Sequence, residues 1–249
     1  MPGTCILARL IGPSSLRPGK KCYTQKDAGT FMNSTFSHLT NGYRPNSDVK
    51  LKLAILGSPG SGKSTLSAGL LYFSKLFLFK VDSVPEVAKW DFYKGVDFTA
   101  DDYEYKKFKA QQELEDIYPQ DIDITICEAP LIISAIYAEF YRGNDDKIAR
   151  DMFALAKEHK ERYSHFLVSR KLVAFEEFGR NENEKQANLL HQKTLEILER
   201  LQINYTVINR YDDHIPLQIL DMLGAIHQRP EAVVEPIPCP TPEYPKYLS

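Results

Sequence analysis

A glycine-rich turn between an apolar run and a helical pattern constrains the fold of this chain more than any other feature. Residues 57–65 read GSPGSGKST and match the pattern G-x-x-x-x-G-K-[ST]. The residues before the turn, LKLAIL at 51–56, are typical of a buried strand, and residues 64–72 favour a helix. A strand, a glycine turn and a helix in this order predict an α/β domain built on a parallel sheet.

The residue types in this turn predict a site for a nucleoside triphosphate. Glycines let successive backbone N–H groups surround a polyphosphate, and the N-terminus of the following helix adds partial positive charge. Lys63 can reach the outer phosphates, and the Ser64 hydroxyl can bind Mg²⁺. We therefore expect ATP and Mg²⁺ as cofactors. The residues expected to bind them are Ser58, Pro59, Gly60, Ser61, Gly62, Lys63, Ser64 and Thr65.

Composition divides the chain into three regions. Residues 1–47 are rich in Gly, Pro, Ser, Thr and Asn without sustained periodicity and predict an irregular extension, whereas residues 48–229 carry the domain. Residues 230–249 contain six prolines, which exclude a helix and favour an extended tail. The extension lacks acidic residues before Asp27, so an organelle transit segment is an alternative to a cytoplasmic protein. Either flank could dock a protein partner.

Charge, cysteine content and hydropathy narrow the class of partner. A net charge of −2 gives no general attraction to nucleic acid or to an anionic membrane, so we expect a small-molecule partner. The four cysteines are scattered, which favours reduced thiols over zinc ligands or disulfides. No apolar run reaches the roughly 18 residues that a membrane-spanning helix needs. We expect a soluble, cytoplasmic protein.

Beyond the glycine turn, short apolar runs alternate with helical patterns. Further strands are predicted over 76–81, 122–127, 164–169 and 205–208. Helices are predicted over 86–94, 100–117, 130–141, 145–162, 181–201 and 215–226. This alternation predicts the three-layer α/β sandwich of P-loop NTPases, with about five parallel strands and helices on both faces. Ligands should bind beyond the carboxyl ends of the strands.

Polar residues stand directly after three of the predicted strands. Glu128 follows the third strand, and Arg170 and Asn209 follow the fourth and fifth. Because parallel strands end at one edge of the sheet, these residues could share a crevice with the glycine turn. Glu128 could hold Mg²⁺ or accept the proton of an attacking hydroxyl, so it is a candidate metal-binding and catalytic residue. The alternative is a solvated acid at a strand end.

Glu86 and the segment 169–180 are candidates for contacts to a substrate. Glu86 stands between the second predicted strand and a helix, where its carboxylate could bind a substrate or simply favour the helix N-terminus. The segment 169–180 carries Arg170, Lys171 and Arg180 and fits a lid that brings positive charge over a migrating phosphoryl group. A basic surface loop is the alternative. We assign Arg170 to substrate binding and Arg180 to catalysis.

Five short segments together resemble a known group of proteins. They are the turn ending GKST at 62–65, PEVAK at 85–89, QQELE at 111–115, EAP at 128–130 and GR at 179–180. In order and spacing they resemble small P-loop kinases related to the nicotinamide riboside kinase domain and to phage and bacterial nucleoside or nucleotide kinase-like ATP-binding proteins. The resemblance covers about residues 50–225. It implies that Glu86 faces the phosphoryl acceptor and that Arg180 lies in a lid.

Two positions depart from that family's pattern. The family usually has Asp-Arg at the end of the third strand, whereas this chain has Glu128 and Ala129 there. Glutamate can replace the acid, but alanine cannot hold a phosphate. Lys89 also stands where the family commonly has arginine, and an ammonium is only a point donor.

These features leave two functions open. The first is a kinase that moves the γ-phosphate of ATP to a nucleoside, nucleotide or similar small acceptor, with Lys63, Glu128 and Arg180 as catalytic residues. The second is a kinase fold kept as an ATP-binding scaffold or switch subunit, for which the absent strand-end arginine is the argument. A guanine-type switch would show N-K-x-D after a late strand, and the nearest run, residues 209–212, has arginine in place of the lysine.

Overall fold

The computed structural model describes residues 42–170, 182–209, 212 and 214–228. The strands are β1 (Tyr43–Pro45), β2 (Leu51–Leu56), β3 (Val81–Val84), β4 (Ile124–Cys127), β5 (His165–Ser169), β6 (Tyr205–Ile208) and β7 (Ile226–Gln228). The α-helices are α1 (Lys63–Leu76), α2 (Val87–Lys94), α3 (Tyr103–Asp116), α4 (Ile133–Arg142), α5 (Lys147–His159), α6 (Glu184–Arg200) and α7 (Ile215–Met222). A short 3₁₀ helix, Lys160–Arg162, follows α5.

Five parallel strands form the main sheet in the order β3-β4-β2-β5-β6. The central strand β2 therefore leads directly into the glycine turn, with β4 and β5 on either side. Because all five strands run in one direction, their carboxyl ends form a single edge. Residues that follow β3, β4 and β5 are thus brought beside residues 57–65, as the alternating sequence pattern predicts.

The side chains of β2 alternate between two buried layers. Leu53 and Ile55 pack with α1 and α7 on one face of the sheet, and Ala54 and Leu56 pack with α3 to α6 on the other. All four are fully buried. A strand covered on both faces has no polar face, which explains why residues 51–56 read as an apolar run rather than an alternation. The predicted three-layer α/β sandwich is confirmed.

One predicted strand is misplaced. The sequence predicts a strand over 76–81, but α1 continues to Leu76 and the strand is Val81–Val84. Phe77 and Phe79 are buried with the α1 side of the core, while Leu78 between them has a φ of +64° and is 70% exposed. The apolar run therefore forms the end of a helix and its exit turn, which periodicity over so few residues cannot distinguish from a strand.

A small antiparallel sheet lies outside the predicted pattern. The sequence predicts one helix over 215–226, but α7 ends at Met222 and β7 pairs with β1. The Asn46 side chain donates a hydrogen bond of 3.0 Å to the Gly224 carbonyl and fixes the turn between α7 and β7. Residues 43–45, which composition places in the extension, thus contact the end of the domain.

The predicted division at residues 47 and 230 stays a prediction. So does docking of a partner by either flank, because residues 1–41 and 229–249 lie outside the described residues. Among the helices of the described ranges, none combines the length and apolar character needed to cross a membrane.

Candidate active site

The turn between β2 and α1, residues 57–65, is called the P-loop below. Gly57, Gly60 and Gly62 have φ values of +149°, +74° and +92°, a range that residues other than glycine rarely adopt. A Cβ on Gly57 would stand 2.4 Å from Ser61 Oγ and 2.6 Å from Ser169 Oγ. Those two hydroxyls are buried and 2.7 Å apart, so the loop is fastened to the end of β5.

The P-loop lysine lies back over its own loop. Lys63 Nζ donates hydrogen bonds to the carbonyl oxygens of Gly57 at 2.9 Å and Ser58 at 3.3 Å. These contacts hold the ammonium group above the turn, where a bound polyphosphate would compete for it. Because Lys63 is the first residue of α1, it also stands at the positive end of that helix.

Ser64 and Glu128 are brought together across the sheet. The Ser64 hydroxyl donates a hydrogen bond of 2.9 Å to Glu128 Oε2, although 64 positions separate them in the chain. The contact arises because β2 and β4 are adjacent: Glu128 directly follows β4, and the P-loop after β2 brings Ser64, in the first turn of α1, beside it. A hydroxyl and a carboxylate are the oxygen ligands that Mg²⁺ prefers, so this pair fits the predicted metal site.

A cavity of about 1030 Å³ extends from the P-loop to the acceptor side of the domain. Seven residues of the P-loop line one end, namely Pro59, Gly60, Ser61, Gly62, Lys63, Ser64 and Thr65. The other end is lined by Glu86 and by side chains of α2, α3 and α4. Ala129 lies between the two ends. The volume is at the upper end of the range for ligand sites, which is roughly 300 to 1,000 Å³.

Helix α3 buries a polar face. Glu104, Lys107, Gln111 and Glu115 recur at intervals of three and four residues, which places them on one side of the helix. Each is less than one-tenth exposed. Charged residues are almost never buried so fully unless they are paired, so a helix that buries three of them is unusual. Glu104, Lys107 and Gln111 line the cavity.

The sequence misses most of this face. Its helical pattern predicts Tyr105, Phe108, Gln112 and Glu115 on one side, whereas Tyr105 and Gln112 are only half-buried. Phe108 and Glu115 are buried as expected. The available signal was the QQELE resemblance at 111–115, because a polar face that is buried leaves no hydrophobic period to detect.

Gln111 holds the backbone on both sides of Glu86. Its Oε1 accepts a 3.0 Å hydrogen bond from the Val87 N–H, and its Nε2 donates one of 3.1 Å to the Pro85 carbonyl. Glu86 is the N-cap residue of α2, but its side chain makes no capping hydrogen bond and lines the cavity instead. Glu86 therefore lies where a ligand could reach it, and its role in binding a substrate stays a prediction.

Helix α2 is attached to the domain mainly by this junction. None of its residues, Val87–Lys94, is buried. Trp90 is 55% exposed, while Phe92 and Tyr93 line the cavity. The helix thus forms an aromatic outer wall over the acceptor end.

A buried ion pair stands in the opposite wall. Lys107 Nζ lies 2.6 Å from Glu104 Oε2, and the ammonium lies 5.3 Å and 5.4 Å from the ring centres of Tyr103 and Tyr137. Burial, followed by the nearby charges of Glu182 and Glu86, raises the pKa of Tyr137 well above its ordinary value. Its phenol therefore stays protonated and can donate a hydrogen bond into the cavity.

Tyr141 and Glu182 close the cavity beside the undescribed segment 171–181. The Tyr141 hydroxyl donates a hydrogen bond of 2.5 Å to Glu182 Oε1. Burial and then this hydrogen bond raise the pKa of Tyr141. The sequence indicated neither residue as functional, although Tyr137 and Tyr141 stand one helical turn apart, the spacing of a shared face.

The two predicted arginines have different outcomes. Arg170 is exposed after β5, donates its backbone N–H to the Ile208 carbonyl at 2.9 Å, and does not line the cavity. Its positive charge, after burial, contributes to lowering the pKa of His191 on α6. Its role in substrate binding stays a prediction. Arg180 lies outside the described residues, so its catalytic role stays a prediction as well.

A buried network anchors the segment that carries Glu128. The Leu131 N–H donates to the Tyr163 hydroxyl at 2.7 Å, and that hydroxyl donates to Glu115 Oε1 at 2.8 Å. Lys52 of β2 lies 2.6 Å from Glu115 Oε2. The network therefore joins the P-loop strand, helix α3 and the residues after β4.

Solved structures with a similar fold include the NadR protein in complex with NR. It is 16% identical and matches over 73% of this chain and 52% of its own, with a TM-score of 0.54. This chain thus spans about half the length of that protein. At this identity the likeness shows the fold alone, a three-layer α/β sandwich with a P-loop.

Two further kinases give weaker matches. The deoxyadenosine kinase from M. mycoides with products dCMP and dCDP has 16% identity over 70% of this chain and 99% of its own, with a TM-score of 0.47. The thymidylate kinase from Candida albicans has 13% identity over 73% of this chain and 92% of its own, with a TM-score of 0.48.

Comparison of the sequence itself gives one family. A search of curated proteins finds no match. The family model described as AAA domain (AAA_28) matches residues 52–213, which run from β2 to the start of the last helical region. Since the match covers more than half of the chain, the protein belongs to this AAA domain family, and its fold is the three-layer α/β sandwich of a P-loop NTPase.

Proposed function

We propose that the protein is a kinase that transfers the γ-phosphate of ATP to a nucleoside, nucleotide or similar small acceptor. The observation that carries the proposal is the continuous cavity of about 1030 Å³, with the P-loop at one end and Glu86 with the polar face of α3 at the other. A protein that only binds or hydrolyses ATP needs no second compartment with polar side chains.

The proposed reaction uses residues that meet at the edge of the sheet. The acceptor oxygen forms a bond to the γ-phosphorus, the bond from that phosphorus to the β–γ bridging oxygen breaks, and ADP leaves. Glu128 receives the hydroxyl proton or organises the metal, and Glu86 orients the hydroxyl. Lys63 exchanges the carbonyl oxygens of Gly57 and Ser58 for phosphate oxygens. Mg²⁺, held by Ser64 and Glu128, would neutralise phosphate charge.

Ala129 supports the alternative function. It lines the cavity at the position where the resemblance implies an arginine, and it offers no charge to the migrating phosphoryl group. An ATP-binding scaffold or switch subunit would bind ATP in the same P-loop without a productive acceptor. Both functions therefore require ATP binding, but only the kinase transfers a phosphoryl group to an acceptor.

The test is phosphoryl transfer from ATP and Mg²⁺ to a panel of nucleosides, nucleoside monophosphates and nicotinamide riboside. The blank is the Lys63→Ala variant. The matched control is Lys75→Ala, which removes an exposed lysine from the same helix. A kinase loses activity by about 10²-fold or more in Lys63→Ala, since one preorganised cationic donor supplies roughly that much. Lys75→Ala keeps it. ATP binding without transfer to any acceptor would overturn the proposal and support the scaffold.

A further inference from the structure

The ion pair between Glu104 and Lys107 calls for a reason other than stability. Their side chains are only 11% and 8% exposed, and both line the cavity. Removing two charges from water costs about as much as their attraction returns, so a buried pair adds little net stability. Both side chains line a cavity, and a small number of placed polar groups in a cavity wall is what orients a ligand.

The pair presents a hydrogen-bond acceptor beside a hydrogen-bond donor. A carboxylate only accepts, whereas an ammonium carries three N–H donors, more than one carboxylate oxygen takes up. The complementary ligand has a donor and an acceptor side by side on a rigid edge. The edges of nucleobases have this arrangement, as an N–H beside a C=O or an amino group beside a ring nitrogen.

The surfaces around the pair suit a flat ring. Tyr103 and Tyr137 flank Lys107, and Phe98 lies with its ring centre 4.9 Å from that of Tyr103. All three line the cavity. Proteins that bind an isolated base stack it against such aromatic side chains and read its edge by hydrogen bonds.

The axis of α3 sets the distance from this pair to the reacting end. Gln111 lies four residues after Lys107, about 6 Å along the helix at 1.5 Å per residue. Gln111 in turn holds the residues on both sides of Glu86. A ring at Lys107 would thus lie about one sugar's length from the carboxylate that faces the acceptor hydroxyl.

We propose that Glu104 and Lys107 determine acceptor specificity by binding the hydrogen-bonding edge of a nitrogen heterocycle, so that the acceptor is nucleoside-like. The inference rests on the proposed function for the transfer step and deepens it. Its recognition step is independent, because it can be measured as binding without turnover.

The test compares matched nucleosides that differ only at this edge. Adenosine is paired with purine riboside, which lacks the amino group, and uridine with 3-methyluridine, in which the ring N–H is blocked. The wild type should prefer the intact member of at least one pair by about tenfold or more in kcat/KM, because unpaired polar groups in the site penalise the defective analogue.

The decisive variant is the double change Glu104→Gln with Lys107→Met. It removes both charges and keeps side-chain volume, so it avoids the lone buried charge that either single change would leave. We expect the tenfold preference to fall to less than about twofold, with the KM for ATP unchanged. Lys109→Met, which removes an exposed lysine from the same helix, is the control and keeps the preference.

Binding is measured separately through Trp90, the only tryptophan of the chain. Its ring centre lies 6.3 Å from that of Tyr93, which lines the cavity, so its fluorescence should report an acceptor. If the wild type binds the intact nucleosides more tightly than the defective ones but transfers no phosphate, the proposed role of Glu104 and Lys107 is supported and the proposed kinase is overturned. If both the wild type and the double variant transfer phosphate with the same preference for the intact nucleoside, the proposed role of Glu104 and Lys107 is overturned and the proposed kinase is not. A wild type that neither binds nor phosphorylates any of the four nucleosides also overturns it.

Discussion

The two ends of the cavity are built in different ways. The P-loop end consists of nine consecutive residues, 57–65, whose function depends on backbone groups and on glycine conformations. The acceptor end is assembled from Glu86, from helices α2, α3 and α4, and from Glu182, which is 96 positions further along the chain. A local site can be identified from a short motif, whereas an assembled site depends on long-range packing.

This difference also decides what each end tolerates. At the P-loop the limits are steric and conformational, since there is no room for a Cβ on Gly57. At the acceptor end the limits are electrostatic, since buried donors and acceptors must remain paired. Substitutions should therefore damage the two ends through different measurable quantities.

Glu128 accepts a hydrogen bond from Ser64 of the P-loop and precedes Ala129, which lines the cavity, and its loss should have the largest effect. Glu128→Gln removes the proton acceptor and the carboxylate beside Ser64, so kcat should fall by about 10² to 10⁴. A rise in the Mg²⁺ concentration needed for half-maximal activity would identify a metal organiser, and an unchanged requirement would identify a general base. Glu113→Gln, an exposed change on α3, is the control. Full activity in Glu128→Gln would show that the two ends meet elsewhere.

Gly57→Ala tests whether the P-loop end is limited by space. The variant combines an unfavourable φ with contacts of 2.4 to 2.7 Å to Ser61 and Ser169, and we expect it to lower the free energy of unfolding by about 3 kcal/mol. Gly95→Ala is the matched control, because Gly95 has a φ of +68° and no neighbour within 4 Å of the added Cβ. Its loss should be about 1 kcal/mol. Equal losses in chemical denaturation would remove the steric part of the explanation.

Gln111→Met should damage only the acceptor end. It leaves the Val87 N–H and the Pro85 carbonyl without their partner and releases Glu86 from its position. The KM for the acceptor should rise about tenfold, because small displacements of positioning groups have effects of this size. The KM for ATP should not change. Gln112→Met, at a half-buried neighbour, is the control. A parallel rise in the KM for ATP would show that the two ends are not separable.

Arg170 should have the smallest effect, through His191. The pKa of His191 is lowered by burial and then by the charge of Arg170, so below about pH 6.5 the unfolded chain binds more protons than the folded one. The stabilising contribution of neutral His191 is therefore complete above about pH 6.5 and is lost as the pH falls through that value. Arg170→Met should raise the His191 pKa in an NMR titration and weaken this dependence. The same titration in Lys185→Met, on α6, should match the wild type; an unmoved pKa in Arg170→Met would place the guanidinium away from α6.

The fold was predictable where its signals are local. The β2 bounds agree at both ends because residues 51–56 are buried on two faces, and the P-loop carries its own conformational requirement. The strand predicted over 76–81 was wrong, because Phe77 and Phe79 can be buried in the core at the end of a helix as well as in a strand. Sheet β1–β7 was missed because its nearest paired residues along the chain, Pro45 and Ile226, are still 181 positions apart.

The candidate site, like the fold, was predictable only where its signals are local. The proximity of Ser64 and Glu128 was predictable because a motif and a strand end mark these two positions. Glu104, Lys107 and Tyr141 were not, since a buried charge pair contradicts the rule that charged residues face solvent. Only the packing of α3 against α4 shows that these side chains share a cavity.

The network of Lys52, Glu115 and Tyr163 has a consequence for motion. It connects the P-loop strand, the polar helix α3 and the segment after β4 through buried contacts of 2.6 to 2.8 Å. These elements should move as one rigid body, so the cavity cannot close by a hinge between the P-loop and α3. Helix α2 has no buried residue and contacts α3 through a hydrogen bond of 3.4 Å from the Tyr103 hydroxyl to Asp91, so it is the wall of the cavity that is held least firmly. Conformational exchange during turnover should be concentrated in that one helix, with Trp90 at its centre.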